Sequence, residues 1–434
     1  MEKRRNKKDK IENIKNLENK ENKEINKNIE KQTNEVQINK TKNIIIMIIC
    51  LCVVLIIIYQ VVMLVLYTLG KVPKTKVPLY TIVDNTFTKY YPKYSETEEV
   101  YTLDVKAFGD IYTSYNIEKQ YKNIDINEKL KYIKDTIKED DLVLASLSIN
   151  DTKYNASDSF NKSIIENFKN IGVDVFSIAN ETNFSEKNID KIKNSIDENS
   201  AEYIGHNGKD VKPYIYDKNN IKIGVLSYYI NLDKNEEIIV SDNSHINCFS
   251  VDKFNSDLKY LNENNTDFII AYLDYSQENL DRVSKMQKEY SEKLLSNGVS
   301  VVFQTDTMVI KEVYEDIYTS TSGKQNHGYT MYSLGNIFGS YNNNYNLSTS
   351  GDITFTKKII KDNLGNIVEN KTTNYLTVNN PEIYLTLSEK RDINIYPVTD
   401  LLDKYKVDNT IIDEKIYNKL TDVLEENKDI LKIK

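Results

Sequence analysis

Five short apolar runs of the chain each end in an oxygen-bearing side chain. Residues 101–109 run into Gly109-Asp110, and 141–147 run into Ser148. Residues 173–179 stop at Asn180-Glu181-Thr182-Asn183, 267–273 at Asp274, and 299–303 at Gln304-Thr305-Asp306. One such end means little, because Asp and Asn are ordinary turn residues. Five of them, carrying three Asp and one Glu, form a set of hard oxygen donors. Brought together, they would suit a hard cation or a polar ligand.

The elements that must position them are strands alternating with amphipathic helices. Apolar, β-branched runs at 101–109, 141–148, 173–179, 221–229, 267–275 and 299–305 read as strands. Helical periodicity predicts helices over 127–140, 160–172, 185–199 and 284–298. This alternation indicates an α/β fold, with a sheet covered on both faces. In such folds functional side chains gather beyond the carboxyl ends of the strands, where the five polar ends lie. From about residue 329 apolar and polar residues alternate, as in antiparallel strands with one wet face. Residues 413–433 form a last amphipathic helix.

Residues 44–66 contain no charge and are long enough, as a helix, to span roughly 30 Å of hydrocarbon. The run is too long for a cleaved signal and lacks a small-residue cleavage site, so it reads as a signal anchor. The 42 residues before it hold thirteen Lys/Arg against eight Asp/Glu, which places the N-terminus in the cytoplasm and the bulk outside. The expected organisation is a charged tail over 1–42, an anchor over 43–69 and a proline-bearing stalk over 70–100. A main domain over 101–360 follows, then strands and a helix over 361–434 that pack on it or extend it.

The tail carries +5, and the whole chain −8, so the exterior part carries −13. That balance argues against nucleic acid as a partner. Cys50 and Cys52 fall in the apolar run and Cys248 stands alone outside it, so neither a disulfide framework nor a cysteine metal site is available. P-loop and dinucleotide glycine patterns are absent. In "YSLGN" (332–336), Gly335 reads as a tight turn and Asn336 as a residue bonding neighbouring loops. Ser333 has no histidine placed to activate it, which favours a structural role.

Six motifs in order carry a family resemblance over about 100–345. They are "GDI" (109–111), "DLVLASLS" (141–148), "GVDVFSIANET" (172–182), "DFIIAYLDYSQE" (267–278), "LLSNGVSVVFQTDTMV" (294–309) and "YSLGNIF" (332–338). The chain resembles the CapA family of capsule and poly-γ-glutamate synthesis proteins, whose extracellular domain is similar to calcineurin-like metallophosphatases. The resemblance implies a metallophosphatase-like layered α/β sandwich behind one transmembrane helix. It also implies a place in cell-envelope polymer synthesis, with the polymer or its membrane-bound synthase as partner.

The departures from the family pattern are as informative. The family's ligands are Asp, Glu, Asn and several His. Asp110 and Asn180 are kept, but Ser148 stands at the Glu position. Glu181-Thr182 replaces Asn-His, Asp274-Tyr275 replaces His-Trp, and Asp306-Thr307-Met308 replaces His-Pro-His. Every expected histidine is missing. His206, His245 and His327 fall outside the motifs and read as surface or loop residues.

Two readings follow. In the first the site has decayed, because Ser148, Thr182 and Met308 are replacements expected once coordination no longer matters. The protein would then be a non-catalytic binding or accessory protein, a pseudoenzyme with no cofactor. Ser148, Glu181 and Asn336 would join the acidic and amide residues as ligand-binding side chains. In the second, Mg²⁺, Mn²⁺ or Ca²⁺ sits among Asp110, Asn180, Asp274 and Asp306, with Glu181 as general base. The protein would then be a hydrolase or transferase acting on envelope polymers. The sequence favours the first.

Overall fold

The computed structural model describes residues 23, 24, 26–28, 30, 31, 42, 46–51, 53–59, 61 and 62, and most of the chain from residue 96. Beyond residue 96 the description leaves out 139–141, 150–155, 184–185, 209–210, 233–237, 239–244, 276–281, 306–308, 320–324, 340–344, 363, 390–391 and 434. The chain divides into two compact units, Met1–Lys93 and Tyr94–Lys434. In the first, residues 46–51, 53–59, 61 and 62 are helical, and their apolar side chains, Ile46 and Leu55 among them, are exposed. Among the described residues no helix is long and apolar enough to cross a membrane. The remainder of the expected anchor, and the stalk up to residue 95, lie outside the described residues.

The second unit opens with β1 (Thr97–Thr113), α1 (Tyr115–Gln120), α2 (Ile126–Lys134) and β2 (Leu142–Ile149). It continues through α3 (Asp158–Asn170), β3 (Val175–Ser177), α4 (Glu186–Glu198) and β4 (Glu202–Ile204). Next come β5 (Tyr214–Lys218), β6 (Ile221–Ile230), α5 (Val251–Glu263), β7 (Phe268–Tyr275), α6 (Lys285–Ser296) and β8 (Val301–Gln304). After β9 (Val313–Thr319) and β10 (Gln325–Met331) stand β11 (Asn336–Phe338), β12 (Tyr345–Thr349) and β13 (Gly351–Lys361). The chain closes with β14 (Thr373–Val378), β15 (Ile383–Glu389), β16 (Asp392–Pro397), α7 (Val398–Val407) and α8 (Glu414–Asn427).

These elements form two large sheets. One runs β14-β13-β1-β2-β3-β4, with β11 against the end of β1; the other runs β5-β6-β7-β8-β10-β9. The consecutive strands β1 to β4 are parallel, and so are β6, β7 and β8 with β10. A third, smaller sheet joins β12, β15 and β16.

Each large sheet is covered on both faces, by helices on one and by the other sheet on the second. The two large sheets face each other, and their shared core holds Val105 and Leu144 from one and Ile270 and Phe303 from the other. Helices α2, α3 and α4 cover the outer face of the first sheet through Leu130, Ile164 and Ile192. Helices α5 and α6 cover the second through Phe254 and Leu294. A buried strand reads as a continuous apolar run whether a helix or a second sheet lies on it, so this arrangement leaves no mark in the pattern. Each fully buried aliphatic or aromatic side chain contributes roughly 1.5–3 kcal/mol.

Local chemistry sets the helix ends. Ser157 Oγ accepts from Phe160 N at 3.2 Å to start α3, and Gly172, at φ +118, follows its last turn. At α6 Ser284 and Gln287 form a reciprocal capping box.

Candidate functional site

The parallel strands β1, β2 and β3 bring their carboxyl ends to one rim of the first sheet. In β1 the register with β2 slips at Gly109: Phe108 pairs with Ala145, and Asp110 pairs with Ser146. Gly109 is therefore a bulged residue, and bulges of this kind re-aim the next side chain. There is no room for anything larger, since a Cβ on Gly109 would lie 1.9 Å from the Gly335 carbonyl oxygen. Asp110 N donates to that same carbonyl at 3.0 Å. Gly335 itself has φ +66, and its N–H donates to Ser333 Oγ at 3.1 Å. The "YSLGN" segment is thus the close-packed seat of Asp110, in keeping with the structural reading of Gly335 and Ser333.

Past the bulge, Asp110 shares a face with Ser146 and Ser148 of β2. Ser148 Oγ donates to Asp110 Oδ1 at 2.7 Å, and both residues are buried. Burial pushes the Asp110 carboxyl up to about 6, against the opposing pull of the Ser148 and Ser146 hydroxyls. Asn336, in β11, is buried beside Asp110 as its parallel partner, and its carbonyl accepts from Asn346 Nδ2 at 2.5 Å.

The polar stretch after β3 turns inward onto backbone. Asn180 Nδ2 donates to Leu147 O at 2.7 Å, and its Oδ1 accepts from Thr182 Oγ1 at 2.7 Å. Asn183, fully buried, donates through Nδ2 to the same Leu147 O at 2.6 Å and to Ile178 O at 3.1 Å. Its Oδ1 accepts from Ile149 N at 2.9 Å. Asn188, at the start of α4, donates to Ile149 O at 3.0 Å. Three asparagines therefore satisfy the last backbone groups of β2, which would otherwise be buried without partners. Sequence reasoning placed Asn183 in the polar stretch without giving it a role, and missed Asn188. The signal was present, since four polar residues in a row follow a buried strand with no Gly or Pro turn.

The other expected residues divide. Asp274 is half-buried at the end of β7, where it pairs in register with Tyr229. Two residues earlier, Tyr272 Oη donates to Phe108 O at 3.3 Å, tying the two sheets together two residues before both Asp274 and Asp110. Glu181 opens a single 3₁₀ turn, Glu181–Asn183, and only its backbone is described. Asp306 lies outside the described residues. The structure places two of the histidines more finely. His327 lies in β10, with Nε2 2.6 Å from Glu315 Oε1, and His206 follows β4 on the wall of a cavity rather than on a free surface loop.

Among the described residues the rim donors do not form a two-metal centre. Asn180 has its amide oxygen held by Thr182 and its amide nitrogen on Leu147 O, and Asp110 Oδ1 is held by Ser148. Among the described residues no three His, Cys, Asp or Glu side chains lie close enough to hold an ion. The imidazoles that borderline metals require are absent from the rim. Among the described residues the rim presents the buried Asp110 carboxyl, pushed up to about 6, beside the Ser148 hydroxyl.

A comparison with curated proteins finds no match. Among solved structures, the chain is similar to the sulfate thiohydrolase SoxB of Thermus thermophilus in complex with glycerol, at 10% identity and TM-score 0.31. That likeness covers 58% of this chain and 41% of SoxB, so the chain spans about two fifths of the SoxB chain. It is also similar to the Thermus thermophilus protein TT1561, at 7% identity and TM-score 0.34, over 63% of this chain and 98% of the other. At these scores neither likeness carries functional weight. The family model "Bacterial capsule synthesis protein PGA_cap" matches residues 104–341, from β1 to just past β11. That match covers more than half of the sequence, including Asp110, Ser148, Asn180, Asp274 and Asn336, and the chain therefore belongs to this family of bacterial capsule synthesis proteins.

Proposed function

We propose that this capsule synthesis protein works outside the cell as a non-catalytic accessory. The apolar run at 43–69 anchors it, the N-terminus lies in the cytoplasm, and a metallophosphatase-like domain faces outward. There it binds the growing envelope polymer or the membrane-bound synthase that makes it. Family membership supports the pathway. One observation supports the non-catalytic part: among the described residues of the strand-end rim, several side chains bond the protein's own backbone and each other. Asn180 and Asn183 converge on Leu147 O, and Ser148 on Asp110. Asn180 and Asn183 are fixed by these bonds to β2, and a bond to Ser148 occupies one oxygen of Asp110, so the rim is built to hold its own strand ends.

The competing reading is a hydrolase or transferase that uses Mg²⁺, Mn²⁺ or Ca²⁺. A strain lacking the gene separates the two. Loss of surface polymer in that strain, fully restored by the doubly substituted Asp110→Ala and Asp274→Ala protein, fits the accessory role. Restoration by the native chain but not by the folded double variant would overturn it.

A further inference from the structure

Lys106 and Asp352 stand directly opposite each other in the antiparallel pair of β1 and β13. Their neighbours Val105, Ala107 and Ile353 belong to the core between the two large sheets. Side chains alternate along a strand, so Lys106 and Asp352 point to the other face of the first sheet. Opposite residues of such a pair hold their Cβ atoms about 4.5–5.5 Å apart, close enough for the side chains to meet. Here they do: Lys106 Nζ is ion-paired with Asp352 Oδ1.

The pair is covered by apolar groups. Lys106 is buried, and so is Val143, its neighbour on β2. Phe108, two residues further along β1, packs edge-on against Tyr384 with centroids 5.6 Å apart, and both rings are fully buried. Two opposite charges kept from water carry a desolvation penalty, which a change that removes both would relieve.

A third ionisable group belongs to this cluster. Ser350 Oγ donates to Asp352 Oδ2 and accepts from Glu382 N at 3.1 Å. The Glu382 carboxyl sits at the start of α7, on Thr399 N and Asp400 N, and is close enough to feel the charges of both Lys106 and Asp352. Burial pushes it up to about 7, so near neutral pH it both takes and gives a proton. An amine, a carboxyl and a proton-carrying acid, held together in a dry setting, are the groups needed to make an amide between two side chains.

We propose that Lys106 and Asp352 join in an intramolecular isopeptide bond, with Glu382 carrying the proton. Within the ion pair a proton passes from Nζ to the Asp352 carboxylate, leaving a neutral amine against a neutral acid. The amine lone pair attacks Cγ, and the Nζ–Cγ bond forms. Glu382 takes the proton from the nitrogen and hands it to the departing hydroxyl, one Cγ–Oδ bond breaks, and water leaves. Two opposite charges disappear, and no oxidant or further reactant is consumed. The bond links residues 246 positions apart and fixes β1 to β13 just before the bulge at Gly109. The proposal goes beyond the role assigned to the Asp110 rim and does not rest on it.

The test is intact-mass spectrometry of the full chain purified in detergent, followed by sequencing of its tryptic peptides. The native chain should weigh one water less than its sequence requires. Trypsin should fail to cut after Lys106, so residues 94–119 should emerge joined to residues 325–357. Lys106→Arg keeps a cation for Asp352 but no nucleophilic amine, and should show its full mass. Glu382→Gln keeps both reacting groups, yet should form the bond about a hundredfold more slowly when mass is followed after pulsed synthesis. A native chain at full mass overturns the proposal, and so does a lost water that maps to any other pair of residues. A folded Glu382→Gln that gains the bond as fast as the native chain overturns the role given to Glu382. Capsule restoration is not a readout here, so this test and the preceding one fail separately.

Discussion

Ser148 Oγ donates to Asp110 Oδ1 across 2.7 Å, joining the ends of the neighbouring strands β2 and β1. The hydroxyl thereby engages one oxygen of the only rim carboxyl that is buried among the described residues. Purified full chain should accordingly hold no stoichiometric zinc, iron or manganese by elemental analysis. Added Mn²⁺ should leave the melting temperature of the native chain and of Asp110→Asn unmoved, since a ligand stabilises only what binds it. A Mn²⁺-dependent rise in the native chain that Asp110→Asn abolishes would contradict this.

Asn183 closes the end of β2 with three hydrogen bonds, to Leu147 O, Ile178 O and Ile149 N. Asn183→Ala strands buried backbone groups, each of which costs about 1–3 kcal/mol. Urea denaturation should show a loss of roughly 3 kcal/mol in total. Asn183→Asp should fare worse, because its carboxylate would face two carbonyl oxygens. A loss under about 1 kcal/mol in either variant would mean that water replaces the amide.

Gly109→Ala should abolish soluble expression or cost more than about 4 kcal/mol, because its methyl would sit 1.9 Å from Gly335 O in a packed strand interior. Gly365 offers the converse case. Unlike Gly109 it has a left-handed φ, +83, but a Cβ there would meet nothing within 4 Å. Gly365→Ala should cost only about 1 kcal/mol, the conformational share alone. Thermal melts of the two variants separate steric exclusion from backbone strain.

Glu382 governs a pH dependence. Its carboxylate accepts from Thr399 N at 2.7 Å and Asp400 N at 3.1 Å, at the start of α7. Burial nevertheless pushes its pKa from the ordinary 4.5 up to about 7. An acid with a raised folded pKa holds its proton more tightly when folded, so stability is full below pH 4.5 and falls as pH rises toward 7. Glu382→Gln removes that contribution. The native chain should lose up to about 3 kcal/mol more than the variant across this window. Asp110 adds its own fall between 3.8 and about 6 in both proteins, so the difference between them isolates Glu382. Parallel slopes would refute the assignment.

Much of this fold was legible in the sequence, and the misses have physical causes. The runs at 141–148, 221–229 and 267–275 correspond to β2, β6 and β7, because a strand buried on both faces is apolar throughout. β4 has three residues and β5 five, too few for any period to show. α5 went unread although Phe254, Leu258 and Leu261 recur at helical spacing behind the Ser250 cap. Gly109 read as a strand end, whereas β1 continues through it as a bulge to Thr113. At the rim, residue types revealed that Asp110, Ser148 and Asn180 stand at neighbouring strand ends. They could not reveal that Asn180 and Asn183 face inward, because the atoms they hold are backbone atoms of a strand more than thirty residues away.

β1 is zipped antiparallel to β13 from Thr97 to Ala107, eleven residue pairs, before it reaches Asp110. A pull on the chain at Thr97 would run along the strand axis and load those hydrogen bonds sideways, all at once rather than one by one. Shear of that kind is the most resistant way to tear a strand from its neighbours. Tension entering where this unit begins would thus be borne by β13, and the seat of Asp110 would stay mechanically shielded.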